Sequence, residues 1–249
     1  MNVPKLSSMT GIWGIYRGLA VRAIQSEMVR PVRIAIVGAP EASERLKARL
    51  IADHAQAGLD VPEMVLVLRS AKADMILDAG VHHGADDFAL AGALAAMTSG
   101  QHPAQIGLAR ALPMARAATI EQMIRSTSLV NARFAALSAL PGIIPMLDWL
   151  LPAVSAGDMV VLMRNQMTLL LRIAAIYGRP PDLKERLPEL LPVAGGAFGW
   201  RAIAREMVGF VPGGAGVGVK AAIAYAGTFA TGKAADAYYR STITGVRNY

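Results

Sequence analysis

The chain has 249 residues, of which 54% are hydrophobic and only 17% are charged, and it contains no cysteine. The lack of cysteine excludes disulfide bonds, thiol chemistry and cysteine-ligated zinc, and it fits a reducing compartment. A net charge of +7 favours anionic partners, but the basic residues are scattered and only 6% of residues are aromatic, which argues against a nucleic-acid-binding protein.

Residues 9–28 show the periodicity of an amphipathic helix, which Arg30-Pro31 is expected to end. Trp13 and Tyr16 lie in this helix beside arginines, a combination typical of a membrane interface. Docking of the helix on the rest of the protein is the alternative explanation. Because no signal-peptide core is visible, we expect a cytoplasmic protein that can lie at the inner face of the membrane.

An α/β pattern follows from Val32 to about Ser99. The runs VRIAIVG, EMVLVL and ADMILDA are predicted strands, and EASERLKARLIADHAQAG is a predicted amphipathic helix. A strand, helix, strand order implies parallel pairing. The sequence therefore predicts a small three-stranded parallel unit, with a further helix at Asp87 to Met97 that covers the sheet.

Beyond Ala104 we expect no further strand. Helices are predicted at about 105–111, 114–138, 156–178, 183–191, 194–208 and 216–240. The expected fold class is therefore α+β and mostly α. Its three predicted regions are an N-terminal helix (1–31), an α/β unit (32–103) and an all-helical domain (104–249).

The most regular helix pattern runs from Asp158, a predicted N-cap, to Gly178, a predicted C-cap. It is apolar on most sides and carries a narrow polar stripe of Arg164, Asn165, Thr168 and Arg172. Charges in apolar surroundings are normally paired, so we predict an internal polar seam rather than a ligand site. The candidate partners are Asp148, Asp158, Glu189 and Glu206.

Two apolar hairpins, 140–152 and 210–219, are interrupted by proline and glycine. Neither can cross a bilayer as one uncut helix. Each could form a shallow membrane-inserted loop or a packed helix corner. Trp149 distinguishes the two for the first hairpin, because it would lie in the membrane interface in one case and in the protein core in the other. We favour contact of Trp149 with the membrane interface.

Gly38 follows the first predicted strand and precedes a helix, which is the shape of a phosphate-binding loop. The lysine and hydroxyl residues of that motif are missing, and Glu41 would repel phosphate. A second glycine-rich stretch, Gly213 to Gly218, has the right glycine spacing, but Val219 occupies the lysine position. We therefore expect no bound nucleotide and no cofactor.

The stretch DAGVHHGADD lies where the third predicted strand ends. His82, His83 and Asp86 are weak candidates for a metal site there, because nitrogen and oxygen ligands suit zinc or manganese. Adjacent histidines in a loop point in different directions, and Asp86 is also a good N-cap for the next helix. We expect no metal site.

Three stretches, ALPGIIPMLDW, RNQMTLLLRIAAIYG and FGWRAIAREMVGFVPGGAGVGVKAAIAYAGT, together resemble the bacterial family called domain of unknown function 697. The resemblance covers Leu140 to Gly227. In many family members this region follows a small GTPase domain, and some members are regarded as membrane associated. Residues 32–99 look like a shortened relic of that GTPase unit.

The sequence thus predicts a non-catalytic helical protein that binds a membrane surface with anionic lipids, or a protein partner such as an intact GTPase. Nucleic acid is not an expected partner, and an oligomer is compatible with the pattern. The alternative is a nucleotide- or metal-dependent enzyme that uses the loop at residues 78–87.

Overall fold

The computed structural model of the chain describes residues 21–58, 61–67, 72–100, 102–137, 151–182, 185–186 and 216–246. Within these ranges the elements, in chain order, are α1 (Val21–Val29), β1 (Val32–Val37), α2 (Pro40–Ala55), β2 (Met64–Val67), β3 (Met75–Asp78), α3 (Ala79–His82), α4 (Asp87–Met97), α5 (Gln105–Ala111), α6 (Pro113–Leu137), α7 (Leu151–Ile176) and α8 (Gly216–Val246).

The three strands form one parallel sheet, as predicted, and their order in the sheet is β2-β1-β3. On one side, β1 pairs with β2 in a register that runs from Val32 opposite Met64 to Ala35 opposite Val67. On the other side, β3 pairs with the second half of β1, so that Val37 is opposite Asp78. The mostly helical α+β fold class is confirmed.

The core of the sheet region forms where the apolar faces of α2, α4 and α5 meet the strands. Leu46 and Leu50 lie one helical turn apart on α2 and are fully buried. Each such side chain contributes about 1.5 to 3 kcal/mol by its burial. The buried members of this core are Val32, Ile34, Ala42, Leu46, Leu50, Met75, Leu77, Ala79, Leu90, Leu94, Leu108, Ala111, Leu112 and Ala115.

Helix α5 is short but completely buried. Gly107 allows its close approach to the preceding chain, because a Cβ there would lie 3.0 Å from the carbonyl oxygen of Arg30 and 3.1 Å from Val32 Cγ2. A buried helix of this kind needs no amphipathic pattern. Its bounds nevertheless agree with the prediction of 105–111.

The described residues divide into two compact units. One, the sheet unit, contains those within Val21–Met123 and Arg172–Pro181, together with the end of α8 from Thr242. The other, the helical unit, contains those within Ile124–Leu171 and Asp182–Ser241.

A buried polar network joins three helices of the helical unit. Asn165 Nδ2 donates to Asn131 Oδ1 at 2.8 Å, and Asn131 Nδ2 donates to Thr228 Oγ1 at 2.9 Å. The Thr228 hydroxyl also accepts from Gln166 Nε2 at 3.1 Å and donates to the carbonyl of Ala224 at 2.8 Å. Asn131 and Thr228 are fully buried, so these bonds satisfy groups that water does not reach.

The predicted start of the long apolar helix at Asp158 is wrong. Helix α7 begins at Leu151, seven residues earlier, and Asp158 lies inside it. Pro152 occupies the first turn, where the missing N–H of a proline costs no intrahelical bond, so the helix can begin ahead of the acidic residue.

The predicted end of this helix is confirmed. Gly178 has φ +77°, its N–H donates to the carbonyl of Ala175 at 3.0 Å, and Arg179 N–H donates to that of Ala174 at 2.9 Å. This pair of bonds is the Schellman motif, which satisfies helix carbonyls and favours glycine at the left-handed position.

In the described ranges, no helix combines the length and apolar character needed to cross a membrane. The helices predicted at 183–191 and 194–208 and the hairpins 140–152 and 210–219 lie outside the described residues or at their margins.

Candidate functional site

The carboxyl end of the parallel sheet is where α/β proteins usually hold ligands. Here its polar side chains bond to their own main chain. Asp78 accepts from the N–H of Gly80 at 2.8 Å, and His83 Nδ1 lies 2.6 Å from the carbonyl oxygen of Ala79. Asp86 caps α4 by accepting from the N–H of Ala89 at 2.7 Å, which confirms its predicted capping role.

The loop after β1 packs closely against the start of α3. Gly38 has φ +127°, and a Cβ there would lie 3.2 Å from the Ala79 Cβ. Helix α2 then opens with Pro40, whose nitrogen carries no hydrogen, and with Glu41 in the first turn. One amide donor is missing and a carboxylate already lies at the positive end of the helix dipole, and both features disfavour phosphate at this loop.

The weak metal candidates do not converge. Across the described residues, no group of three or more His, Asp or Glu side chains is placed to hold a metal ion. His83 points to the carbonyl of Ala79, and Asp86 to α4. The next acid, Asp87, forms an ion pair with Arg49 of α2. This loop is held together by its own polar groups.

A cavity of about 600 Å³ lies elsewhere in the sheet unit. Three chain segments meet at it, each from the C-terminal end of a helix: α2, α5 with the start of α6, and α7. The residues that line the cavity are Ala55, Gln56, Ala57, Gly58, Val61, Arg110, Pro113, Arg116, Ile176, Tyr177 and Gly178.

The two arginines of this cavity are held by helix ends. Arg110 is buried, and its Nη1 donates to the carbonyl oxygen of Ala175 in the last turn of α7 at 2.9 Å. Arg116 Nε donates to the carbonyl of Ala109 at 3.1 Å, and the guanidinium carbon lies 5.8 Å from the ring centroid of Tyr177. A cation at a helix C-terminus is favourable, and so is a guanidinium over an aromatic face.

Two polar side chains near the end of α2 bond to the main chain of α5 and α6, next to these arginines. His54 Nδ1 lies 2.8 Å from the carbonyl oxygen of Ala111, at the end of α5. Both carboxylate oxygens of Asp53 lie 3.2 Å from the N–H of Met114, in the first turn of α6. Burial raises the pKa of the Asp53 carboxyl above its ordinary value, although the hydrogen bond from Met114 opposes the shift.

The structure divides the predicted polar stripe between two environments. Arg172 pairs with Glu27 at 2.9 Å and with Gln105 at 3.2 Å, so its partner is none of the four predicted acids. Asn165 belongs instead to the network around Asn131 in the helical unit. Arg164 is exposed and Thr168 is half-buried. Neither of them is a hydrogen-bond or ion-pair partner of Arg172, which bonds to Glu27 and Gln105.

The predicted membrane or partner contacts Trp13, Tyr16 and Trp149 all lie outside the described residues. The cavity residues Arg110, Arg116 and Tyr177, by contrast, were missed by the sequence reasoning. Arg110 and Tyr177 occupy ordinary positions near helix ends, and Arg116 lies in a helix of mixed composition. The available signal was Arg110 in the last turn of α5, and a cation near a helix C-terminus is too common to indicate a cavity.

No protein-family model, no curated protein and no solved structure matches the chain.

Proposed function

We propose that the chain is a non-catalytic binding protein whose sheet unit keeps the shape of a nucleotide-binding unit without its chemistry. The carrying observation is the bonding at the carboxyl end of the sheet. There Asp78, His83 and Asp86 all bond to nearby main-chain groups. A general base or metal ligand needs an atom that is available to a substrate or metal, and each of these side chains is already bonded to the main chain.

A protein partner is the proposed target of this unit. Phe88 in the first turn of α4 is 88% exposed, and Val81 of α3 is 67% exposed. Contiguous exposed apolar side chains are typical of interaction surfaces, and we propose that Phe88 and Val81 belong to one such patch. The exposed carboxylates of Asp78, Asp86 and Asp87 accompany them, which disfavours an anionic bilayer and favours a partner with basic and apolar residues.

The resemblance of residues 140–227 to the domain of unknown function 697 family supports the same proposal. Members of that family often carry an intact GTPase unit, which this chain lacks at the Gly38 loop. We propose that an intact GTPase is the kind of partner that the chain binds, at the inner face of the membrane. No cofactor is part of this proposal.

Nucleotide binding tests the non-catalytic part. We expect isothermal calorimetry with GTP or ATP, at micromolar concentration with magnesium, to show no saturable heat, and we expect no release of phosphate. Saturable one-to-one binding with hydrolysis would contradict the proposal and support an enzyme at residues 78–87.

The partner surface is tested by a photo-crosslinking amino acid at position 88 in living cells. The matched control places it at Val130 of α6, another exposed apolar position. We expect a protein crosslinked only from position 88. Its purified form should bind the parent chain, and Phe88→Asp should weaken that binding about tenfold or more while Val130→Asp leaves it unchanged. Equal crosslinking from both positions would contradict a specific surface.

Vesicle sedimentation tests the membrane part separately. If the chain binds anionic vesicles through Trp149, as the sequence predicts, Trp149→Asp should reduce sedimentation. Phe88→Asp should leave it unchanged, since the proposed partner surface is acidic. Loss of vesicle binding in Phe88→Asp would show that α4 contacts lipid, and would contradict the assignment of this surface to a protein.

A further inference from the structure

We propose that an exposed surface of α6 binds a membrane that carries anionic lipid headgroups. The α6 face, as we call this surface, consists of Leu129, Val130, Arg133 and Leu137. The proposal rests on the membrane location proposed above, and it names a contact other than the Trp149 hairpin. It does not involve the partner surface around Phe88, which belongs to the sheet unit.

The four side chains of the α6 face are neighbours on one side of the helix. Leu129, Arg133 and Leu137 follow one another at a spacing of four residues, and Val130 lies three residues before Arg133. Leu129 is 43% exposed, Val130 is 53% exposed and Leu137 is 66% exposed. Arg133, which is also exposed, therefore lies among three large apolar side chains. Contiguous exposed apolar residues mark an interaction or membrane surface, whereas single ones do not.

The opposite side of α6 supplies the packing of the helix. Asn131 is fully buried and bonds to Asn165 and Thr228, and Ser128 and Ala135 are buried as well. The side of a helix that faces away from the core is normally polar. Three of the four residues of the α6 face are apolar although the fold leaves them exposed, so the packing of this unit does not account for them.

The charge of the helical unit favours an anionic surface. The described side chains of α6, α7 (from Val161) and α8 within this unit include six basic residues and one acidic residue. The acid, Asp236, is buried and pairs with an arginine of its own helix. Arg133, Arg164 and Lys220 are exposed and have no hydrogen-bond or ion-pair partner among the described residues. A surface with charges of one sign attracts anionic headgroups, and each basic residue near the bilayer adds to the attraction.

A bilayer matches the α6 face better than a protein does. The apolar stem of Arg133 can lie alongside its apolar neighbours while the guanidinium reaches a lipid phosphate. A second copy of the chain is a poorer occupant, because a symmetric contact through this face would bring the Arg133 side chains of the two copies together. A protein partner would have to combine apolar and acidic residues at this spacing, whereas an anionic bilayer offers both over its whole surface.

A fluorescent label tests the contact directly. Because the chain contains no cysteine, Leu129→Cys gives a single labelling position, and Ile51→Cys gives a control on α2, where Ile51 is 48% exposed. Vesicles of phosphatidylserine and phosphatidylcholine should raise the fluorescence of an environment-sensitive label at position 129 about twofold or more and leave position 51 unchanged. Equal responses at the two positions, or an equal response to phosphatidylcholine alone, would overturn the proposal.

Sedimentation with the same vesicles locates the binding through two unlabelled variants. At physiological ionic strength, Val130→Asp and Arg133→Glu should each weaken binding about tenfold or more, because one puts a charge into the apolar layer and the other reverses an attraction. Ile51→Asp and Arg45→Glu make the same changes at exposed positions of α2 and should alter binding less than about twofold. Thermal unfolding should show that all four variants fold, since each replaces an exposed side chain.

The other outcomes separate this proposal from the proposed function. If Val130→Asp and Arg133→Glu sediment like the parent, the α6 face is overturned, and a loss in Trp149→Asp would still support the membrane location. If the parent does not sediment with these vesicles, the α6 face and the membrane location both fail, while the Phe88 surface keeps its own assay. A protein crosslinked from position 130, or self-association that is lost in Val130→Asp, would overturn the lipid assignment.

Discussion

Arg172 Nη2 lies 2.9 Å from a carboxylate oxygen of Glu27, and the two side chains are only 10% and 14% exposed. Arg172 Nη1 donates to the other oxygen at 3.2 Å, and Gln105 accepts from Nη2 at the same distance. Burial nevertheless raises the pKa of Glu27, because the loss of hydration outweighs the attraction of the guanidinium. The pair is therefore costly to form and more costly to break.

The first prediction concerns that pair. Arg172→Met should lower the free energy of unfolding by about 3 to 5 kcal/mol, because it leaves the Glu27 carboxylate buried without its cation. Urea unfolding at neutral pH measures the loss. The double variant Arg172→Met with Glu27→Leu should recover most of it, since both charges are then absent. A double variant no more stable than Arg172→Met would contradict this account.

The second prediction concerns Asp53 and pH. The folded state raises the pKa of this carboxyl above its ordinary value of 3.8, so it holds the proton more tightly than the unfolded state does. The Asp53 contribution to stability is therefore present below pH 3.8 and is lost as pH rises through the folded pKa.

Asp53→Asn removes this titration and keeps an oxygen that can accept from Met114. The unfolding free energy of the variant minus that of the parent should become more positive as pH rises from below 3.8 towards neutrality. Urea unfolding across this pH range measures the difference. A constant difference would show that Asp53 does not titrate differently in the two states.

The third prediction compares two glycines of α8. A Cβ at Gly232 would lie 2.7 Å from Ile124 Cγ1, whereas a Cβ at Gly227 would meet no atom within 4 Å. Gly232→Ala should therefore lower the unfolding free energy by about 1 to 3 kcal/mol through overpacking. Gly227→Ala should raise it by about 0.5 to 1 kcal/mol, because alanine favours a helix.

Thermal unfolding of the two glycine variants provides the measurement, and Ile124→Ala provides the control. In the Ile124→Ala background, Gly232→Ala should cost much less, because the clashing methylene is gone. Equal melting temperatures for Gly232→Ala and Gly227→Ala would show that α8 does not pack this closely on Ile124.

The fourth prediction concerns the buried asparagine of the helical unit. Asn131 bonds to both Asn165 and Thr228 and is fully buried. Asn131→Ala should lower the unfolding free energy by about 2 kcal/mol or more, because it removes two bonds and leaves a void. Asn165→Ala should cost less, since Asn165 is only half-buried. Chemical unfolding of both variants tests the order, which would be reversed if the network depended on Asn165.

Local signals predicted much of the fold. The bounds of α4 and α5 agree with the predicted 87–97 and 105–111, and the start of α4 is set by the neighbouring cap Asp86. Alternation and strand length predicted the sheet in the same way. The start of α7 was missed because Asp158 resembles a cap, while the earlier start at Leu151 leaves no local polar signal.

The long-range contacts could not be predicted from one sequence. Glu27 lies 145 positions from Arg172, in a segment whose arginines and neighbouring aromatics suggested a surface helix. The cavity combines residues from three distant segments, and each arginine alone is explained by the helix end that it caps. Only the three-dimensional structure shows that Arg110 and Arg116 line the same cavity.

The two largest stretches of the sheet unit, 21–123 and 172–181, are separated in sequence by part of the helical unit, and this has a consequence during protein synthesis. Arg172 and Tyr177 follow Met123 by 49 and 54 residues, respectively. At roughly 5 to 20 residues per second, about 2 to 11 s pass between the synthesis of Met123 and that of these two residues. During that interval Glu27 has no arginine from α7 and the walls of the cavity are incomplete, so we expect the growing chain to be most open to chaperones and proteases at this stage.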